Sequence, residues 1–285
     1  MTNTLDLVET ELQHVRGANG VSYAYRRLGR VGEGVPLVFL QHFRGDIDNW
    51  DPALVDAIAA ERDVILFDNV GIGASTGSAP STVQEMAQGA IAFIEALGLT
   101  RVDLFGFSLG GFVAQAIALN RPAIVRRLIL AGTGPQGAPG MGAWSPDVAD
   151  RLVLREQPGG EDVLYVFYAH TASSQGAGQA ALGRIFQRQE GRDTGVTLEA
   201  KDAQYAAILS WGEPDGQVEK RLAGITQPTL ILQGDHDIMI PTEASRILAE
   251  HIPDARITIF PDASHGSIFQ YATEAAAETV AFLAE

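Results

Sequence analysis

Gly106-Phe107-Ser108-Leu109-Gly110 carries the clearest chemical content in the chain. It reads G-x-S-x-G, follows an apolar run at 102–105 and opens a helical pattern that stops before Pro122. A serine on such a strand–turn–helix corner presents its hydroxyl as a nucleophile. The flanking glycines suit a turn with no room for side chains. Backbone N–H groups and the positive end of the helix dipole face any oxyanion that forms beside the serine.

A serine hydroxyl needs a base, and six histidines are available. His14 falls in an N-terminal hairpin, His170 in a central helical stretch and His251 at the end of a surface helix. His42 and His236 lie on loops at strand ends. His265 follows the last strand, in the loop Pro261-Asp262-Ala263-Ser264-His265-Gly266, and leaves the sheet at the same edge as Ser108. Imidazole takes and returns a proton near neutrality, and the chain order serine, acid, histidine favours His265. An orienting carboxylate is also required. Asp235 and Asp237 both follow the strand at 229–233, whereas the loop after 128–130 has no acid. Asp235-His236-Asp237 is not read as a metal site, because adjacent residues rarely converge on one ion and no second cluster completes a shell. Gly71-Ile72-Gly73 superficially suggests a dinucleotide loop, but the third glycine is missing and Ser/Pro-rich sequence follows in place of a helix. Neither a metal nor a cofactor is expected.

The elements that must position these groups show in the apolar runs at 37–40, 64–67, 102–105, 128–130, 229–232 and 257–260. Such runs suit central strands of a parallel sheet, buried on both faces. Helical patterns separate them. One opens at Asp51-Pro52. Another covers 82–97, with Thr82 and Glu85 at capping-box spacing and Gly98 at its end. The last covers 273–284. The alternation implies a mostly parallel, doubly wound α/β sheet. Asn19-Gly20, a two-residue turn signal, makes 11–27 a hairpin, and Val21, Tyr23 and Tyr25 mark a second strand with one buried face. The stretch 134–224 breaks the rhythm. It starts Gly/Pro-rich and continues as helices carrying Trp144, Tyr165, Phe167, Tyr168, Phe186, Tyr205 and Trp211. That is far longer than a crossover needs. It is read as a helical lid (cap) on a core formed by 1–133 and 225–285.

A chain of 285 residues, 46% hydrophobic, fits one large domain or a core with an inserted lid. A net charge of −15 without a Lys/Arg block argues against nucleic acid or anionic membrane as partner. The absence of cysteine excludes disulfides and thiolate chemistry. The opening MTNTLDLVET lacks the basic and apolar regions of a signal peptide, and no apolar run is long enough to span a bilayer. A soluble, cytoplasmic protein is expected, and a homo-oligomer is left open.

Together these motifs resemble the α/β-hydrolase superfamily, above all its single-domain serine esterases and cofactor-free haloperoxidase-type perhydrolases. Four motifs carry the resemblance, which extends over nearly the whole chain: Gln41-His42-Phe43 with Trp50, Asp68-Asn69-Val70-Gly71-Ile72-Gly73-Ala74-Ser75, the Ser108 elbow, and the acid and histidine loops. The resemblance implies an α/β-hydrolase fold with an inserted helical lid. The family pattern G-x-x-D-x-x-x-P places the triad acid on Asp237, and the family histidine falls on His265. Relatives carry His-Gly-x after the third strand, with the N–H of x as oxyanion donor. Counted back from Trp50, that donor is Phe43, with Leu109 as the second, and His42 replaces the glycine. The implied activity is hydrolysis of a small apolar ester or related acyl compound by Ser108, Asp237 and His265. Perhydrolysis, lactone opening and C–C bond hydrolysis use the same triad, and a slow-turnover ligand sensor would retain the same pocket. Serine in place of aspartate disfavours haloalkane dehalogenase and epoxide hydrolase chemistry. His42, Arg44, Phe107, Trp144 and Ile238 are expected in the pocket, with Ile268 and the lid aromatics beside them. Arg44 either meets a substrate carboxylate or carbonyl, or pairs with Asp46 or Asp48 on the surface. His42 is read as a structural substitute for glycine, its ring hydrogen-bonded nearby, and not as a second base.

Overall fold

The computed structural model describes residues 6–142 and 144–285. Residues 1–5, part of the segment read as lacking a signal peptide, and Ala143, within 134–224, lie outside the described residues.

The chain begins with an antiparallel hairpin of β1 (Gln13–Arg16) and β2 (Ser22–Gly29). Its connection is longer than the two-residue turn expected from Asn19-Gly20. It spans residues 17–21 and is closed by the Gly17 N–H donating to the Val21 carbonyl at 2.8 Å. Nor does β2 have a single buried face. Tyr23 and Ala24 are both buried, and Arg26 is only 1% exposed. A buried guanidinium persists only where it is paired: Arg26 meets Asp48 and the carbonyls of Thr10 and Gly191.

Strand and helix then alternate as β3 (Leu37–Leu40), α1 (Pro52–Ala59), β4 (Asp63–Phe67), α2 (Val83–Ala96), β5 (Val102–Phe107), α3 (Leu109–Asn120) and β6 (Val125–Ala131). Local chemistry sets the helix starts. Asp51 caps α1 ahead of Pro52. The Thr82 hydroxyl accepts from the Glu85 N–H and donates to the Glu85 carboxylate at the start of α2. After β6 come α4 (Pro146–Ala149), α5 (Gly160–Phe167), α6 (Ala172–Ile185), α7 (Leu198–Trp211) and α8 (Val218–Leu222). The sheet resumes with β7 (Thr229–Gly234), α9 (Thr242–His251) and β8 (Ala255–Phe260), and the chain ends in α10 (Ser267–Gln270) and α11 (Ala272–Ala284).

The eight strands run in the order β1-β2-β4-β3-β5-β6-β7-β8. From β4 to β8 every neighbouring pair is parallel, while β2 pairs antiparallel with both β1 and β4. The winding reverses at β3, which has β4 on one side and β5 on the other. In open α/β sheets the crevice at the carboxyl ends of such strands is where ligands bind. The loop that follows β3 and the corner that follows β5 meet there. Phe39 of β3 stacks on Phe105 of β5 at 4.7 Å, and Trp50 packs edge-on to both. Each such buried aromatic contributes about 1.5–3 kcal/mol, so the switch point is also a packing centre.

Two contacts dock the helices α4–α8 on the sheet layer. Trp211 stacks on Phe112 of α3 at 5.0 Å. Arg184 of α6 makes a two-pronged ion pair, at 2.8 and 2.6 Å, with the fully buried Asp51. No helix among the described residues is long and apolar enough to cross a membrane.

Candidate active site

Ser108 sits between β5 and α3 with φ 55° and ψ −119°. A side-chain-bearing residue in such a sparsely populated region costs on the order of 1–3 kcal/mol and persists only when its surroundings hold it there. The Ser108 N–H donates to the Ala131 carbonyl at 2.9 Å. The Ser108 carbonyl accepts from the Thr133 hydroxyl at 2.9 Å and from the Gly111 N–H at 2.8 Å. The flanking glycines are required by contact. A Cβ on Gly106 would lie 2.5 Å from the Gly110 carbonyl oxygen, and one on Gly110 would overlap the Leu40 carbonyl.

Asp237 lies on the loop after β7 and His265 on the loop after β8. One Asp237 oxygen accepts from the Met239 and Ile240 N–H groups at 2.8 and 2.9 Å. The other faces His265 Nδ1 at 2.8 Å and accepts from Gln233 Nε2 at 3.2 Å. A carboxylate can only accept, so His265 Nδ1 carries a proton, and in the neutral ring the lone pair is on Nε2. Nε2 is buried and has no hydrogen-bond partner among the described residues, Ser108 included. Bonds of this type often tighten only in complexes with substrate. Asp235 is turned elsewhere. It pairs at 2.5 Å with the largely exposed His236, and that contact raises the His236 pKa above the usual imidazole value.

The loop after β3 is bonded almost throughout. The His42 N–H donates to Gln41 Oε1 at 2.9 Å, the Arg44 N–H to Gln204 Oε1 at 2.9 Å and the Gly45 N–H to the His42 carbonyl at 3.1 Å. Among the described residues the Phe43 N–H has no acceptor, and neither does the Leu109 N–H at the head of α3. His42 Nδ1 lies 2.8 Å from the Phe43 carbonyl, so Nδ1 is the donor and Nε2 is unprotonated. Burial lowers the His42 pKa to about 4, so the ring is neutral at pH 7. Arg44 has φ 62°. Its guanidinium donates to the carbonyls of Leu152, Arg155 and Glu156 at 3.1, 2.8 and 2.6 Å. It is therefore not paired with Asp46 or Asp48, and three of its five N–H donors are held by backbone carbonyls. Burial lowers its pKa.

Ser108, His265, His42, Phe43 and Arg44 line one cavity of about 490 Å³. Its apolar wall comes largely from the segment between β6 and β7, with Phe167, Ile185, the half-exposed Phe186 and Leu198. Several expected residues are not in its lining, among them Leu109, which borders a smaller space of about 40 Å³ with His42 and Gln204, and the aromatics Tyr165, Tyr205 and Trp211. Phe107 is fully buried beneath the His42 and His265 rings, at 5.3 and 5.1 Å. Trp144 packs on Phe43 and Tyr205, at 5.5 and 5.6 Å. Ile238 is 41% exposed, and the next residue, Met239, lines the cavity in its place. Ile268 is likewise buried while Phe269 faces the cavity. Sequence reasoning missed Gln204 and Gln233. Gln233 had a signal, since a polar residue in an apolar strand must find partners when buried. No group of three or more His, Cys, Asp or Glu among the described residues could hold a metal ion.

A parallel sheet that reverses at β3, with a strained serine and a buried histidine–aspartate pair at its carboxyl edge, defines a class of hydrolytic enzymes. The chain belongs to the α/β-hydrolase fold family, whose profile matches residues 35–271, and it is a hydrolase of that fold. It is 29% identical over 238 residues to RutD of Azorhizobium caulinodans, a protein named as a carbamate hydrolase, with 79% of this chain and 82% of that one covered. It is 28% identical over 270 residues to the 2-hydroxymuconate semialdehyde hydrolase of Pseudomonas putida, covering 89% of each. The solved structure of an alpha/beta hydrolase fold protein from Chitinophaga pinensis matches it with a TM-score of 0.91 at 37% identity, over 98% of both chains.

Proposed function

We propose that the protein is a serine hydrolase that cleaves a small carboxylic ester or related acyl compound through an acyl-enzyme. One observation carries this reading: Ser108, His265 and Phe43 open onto a single cavity, and the imidazole among them is bonded to a buried carboxylate. In the first half-reaction His265 Nε2 takes the Ser108 proton as Oγ attacks the substrate carbonyl. The Phe43 and Leu109 N–H groups, which have no other acceptor, receive the oxyanion. The leaving group departs with the proton from His265. In the second half-reaction His265 takes a proton from water, hydroxide attacks the acyl carbon, and Ser108 recovers its hydrogen as the acid leaves. Asp237 holds the tautomer and balances the imidazolium charge. Residues 134–224 serve as the lid that shapes the pocket and excludes water.

The relative named for 2-hydroxymuconate semialdehyde hydrolysis raises a second reading, C–C bond hydrolysis by the same serine. The lining favours the ester: the wall is apolar, and the Arg44 guanidinium is already bonded to three backbone carbonyls.

A fluorophosphonate probe tests the reading. The native protein should be labelled once, at Ser108, and lose p-nitrophenyl ester hydrolysis, while folded Ser108→Ala should be neither labelled nor active. Labelling at another residue, or undiminished hydrolysis by the variant, overturns it.

A further inference from the structure

We propose that the helical segment between β6 and β7 positions the oxyanion donor: Gln204 of α7, acting with His42, clamps the peptide that follows Phe43 and so sets the rate of acyl transfer for every substrate. The proposal rests on the reading of the Phe43 N–H as that donor.

The Phe43–Arg44 peptide is held at both poles. Its carbonyl accepts from His42 Nδ1 at 2.8 Å, and its N–H donates to Gln204 Oε1 at 2.9 Å. A peptide unit is a rigid plane. Fixing both poles therefore fixes the torsions on either side, ψ of Phe43 and φ of Arg44. The second of these is +62°, a value that a long side chain disfavours and that its surroundings must impose. The three carbonyls that hold the Arg44 guanidinium lie between α4 and α5, in the same inserted segment as Gln204. The base of the loop is closed within the core, where Gln41 accepts from the His42 N–H and donates to the Asp46 carbonyl at 2.7 Å. From His42 to Gly45 only the Phe43 N–H is left without an acceptor among the described residues. The Phe43 N–H lies in the preceding peptide, whose carbonyl, that of His42, accepts from the Gly45 N–H at 3.1 Å, so the clamp by His42 and Gln204 acts on it one residue away, through the Cα of Phe43.

Gln204 is 5% exposed, and its oxygen reaches the loop across 160 residues of sequence. It is absent from the lining of the large cavity. It borders instead a space of about 40 Å³ shared with Gln41, His42 and Leu109, too small for a substrate, so its effect on catalysis runs through the loop, which makes it a positioning residue. A donor displaced by a fraction of an ångström loses oxyanion stabilisation, which exists only in the transition state.

The test compares Gln204→Met, which keeps length and removes the acceptor, with Gln204→Glu, which keeps an acceptor oxygen. Gln204→Asn, which withdraws the acceptor by one methylene, is the second loss variant should the first not fold. Kinetics are read on p-nitrophenyl esters from acetate to octanoate, together with inhibition by an alkyl trifluoromethyl ketone, whose hemiketal oxyanion needs the same donor. Loss of the acceptor should lower kcat roughly tenfold to a hundredfold for all esters. KM should stay within about twofold, the inhibitor should weaken in parallel with kcat, and the acidic limb of the pH profile should stay in place. Gln204→Glu should restore most of the loss. Unchanged kcat in a folded loss variant, a loss confined to long esters, or failure of Gln204→Glu to restore kcat overturns the proposal. Phosphonate labelling of native Ser108 separates the two claims: without it the hydrolase reading fails, and with it only the positioning role is at stake.

Discussion

Asp237 takes hydrogen bonds from Gln233, Met239 and Ile240, all within four positions of itself, whereas the loop carrying Phe43 reaches 108 residues along the chain to Leu152 and 160 to Gln204. The acid is held by the strand end and turn that carry it, but the histidine loop is tied to the inserted helices, where the Ser264 hydroxyl and the Gly266 N–H donate to the carbonyls of Val166 and Phe167 at 2.9 and 2.7 Å. On the proposed reading the oxyanion loop also leans on those helices, through the bonds from Arg44 to Gln204, Leu152, Arg155 and Glu156. The proposed acid is thus supported locally, whereas the proposed base and oxyanion donor both draw support from the segment between β6 and β7, and damage to that segment should leave the Asp237 turn intact while weakening the other two.

The largest test of the contrast lies on the acid–base side. Asp237→Asn removes the acceptor that holds the imidazole tautomer, a change worth roughly four orders of magnitude in kcat in a well-studied protease. Asp235→Asn should change kcat less than about threefold, because its carboxylate faces His236. Equal losses in steady-state kinetics would show that the acid is not held locally. On the other side, Trp211→Ala empties the stack on Phe112 at the end of α7. Deleting a buried aromatic of this size costs about 3–5 kcal/mol, readable as a lower urea midpoint. The surviving folded enzyme should show reduced kcat. A cost below about 1 kcal/mol would mean that the insertion docks independently of this contact.

Gln233→Leu sharpens the comparison. It removes the lateral bond to Asp237 but leaves both backbone N–H bonds, so kcat should fall only about tenfold at steady KM. A loss equal to that of Asp237→Asn would make the side chain, not the turn, the main support. A modest kinetic effect is expected of His42→Gln, at most about tenfold in kcat/KM near neutral pH, since glutamine can still donate to the Phe43 carbonyl. Its clearer signature is in stability. The folded pKa of about 4 lies below the ordinary 6.5, so between those values the unfolded chain binds the extra proton. Native stability relative to the variant should fall as pH drops through that window, by up to about 1.4 kcal/mol per pH unit. Asp46 and Asp56, both raised to about 6 chiefly by burial, titrate in both proteins and largely cancel in the difference. A difference that is flat from pH 7 to 4.5 in urea titrations would place the ring in water.

Much of the sheet was legible because parallel strands buried on both faces must be apolar runs, and the runs at 37–40, 64–67 and 229–232 fall within β3, β4 and β7. The Ser108 corner was legible because its glycines answer a steric need that holds in any such turn. The pocket wall was not. Whether Ile238 or Met239 faces a cavity depends on a rotation of one residue in a loop, and no periodicity governs loops. Phe107 reads as a pocket residue for its position beside Ser108, yet it lies within a strand whose faces are both covered. Arg44 looked like a partner for its acidic neighbours because charge is visible in sequence and backbone carbonyls are not.

β6 and β7 are adjacent in the sheet, paired from Leu128 with Thr229 to Ala131 with Leu232, although the helices α4–α8 intervene in the chain. The pairing of β6 with β7 does not depend on the length of the connection, although the connection is bonded back to the core, as Arg184 is to the buried Asp51. Recombination that exchanged the connection for another would leave the strand register and the serine corner untouched. The graft would bring a new pocket at once. On the proposed reading it would bring full catalytic rate only if it also carried an acceptor opposite the Arg44 N–H, carbonyls within reach of the guanidinium, and carbonyls for the Ser264 hydroxyl and the Gly266 N–H beside His265. Evolution of new substrates on this scaffold is thus easy to begin and slower to perfect, with the second stage confined to a few contacts far from any substrate.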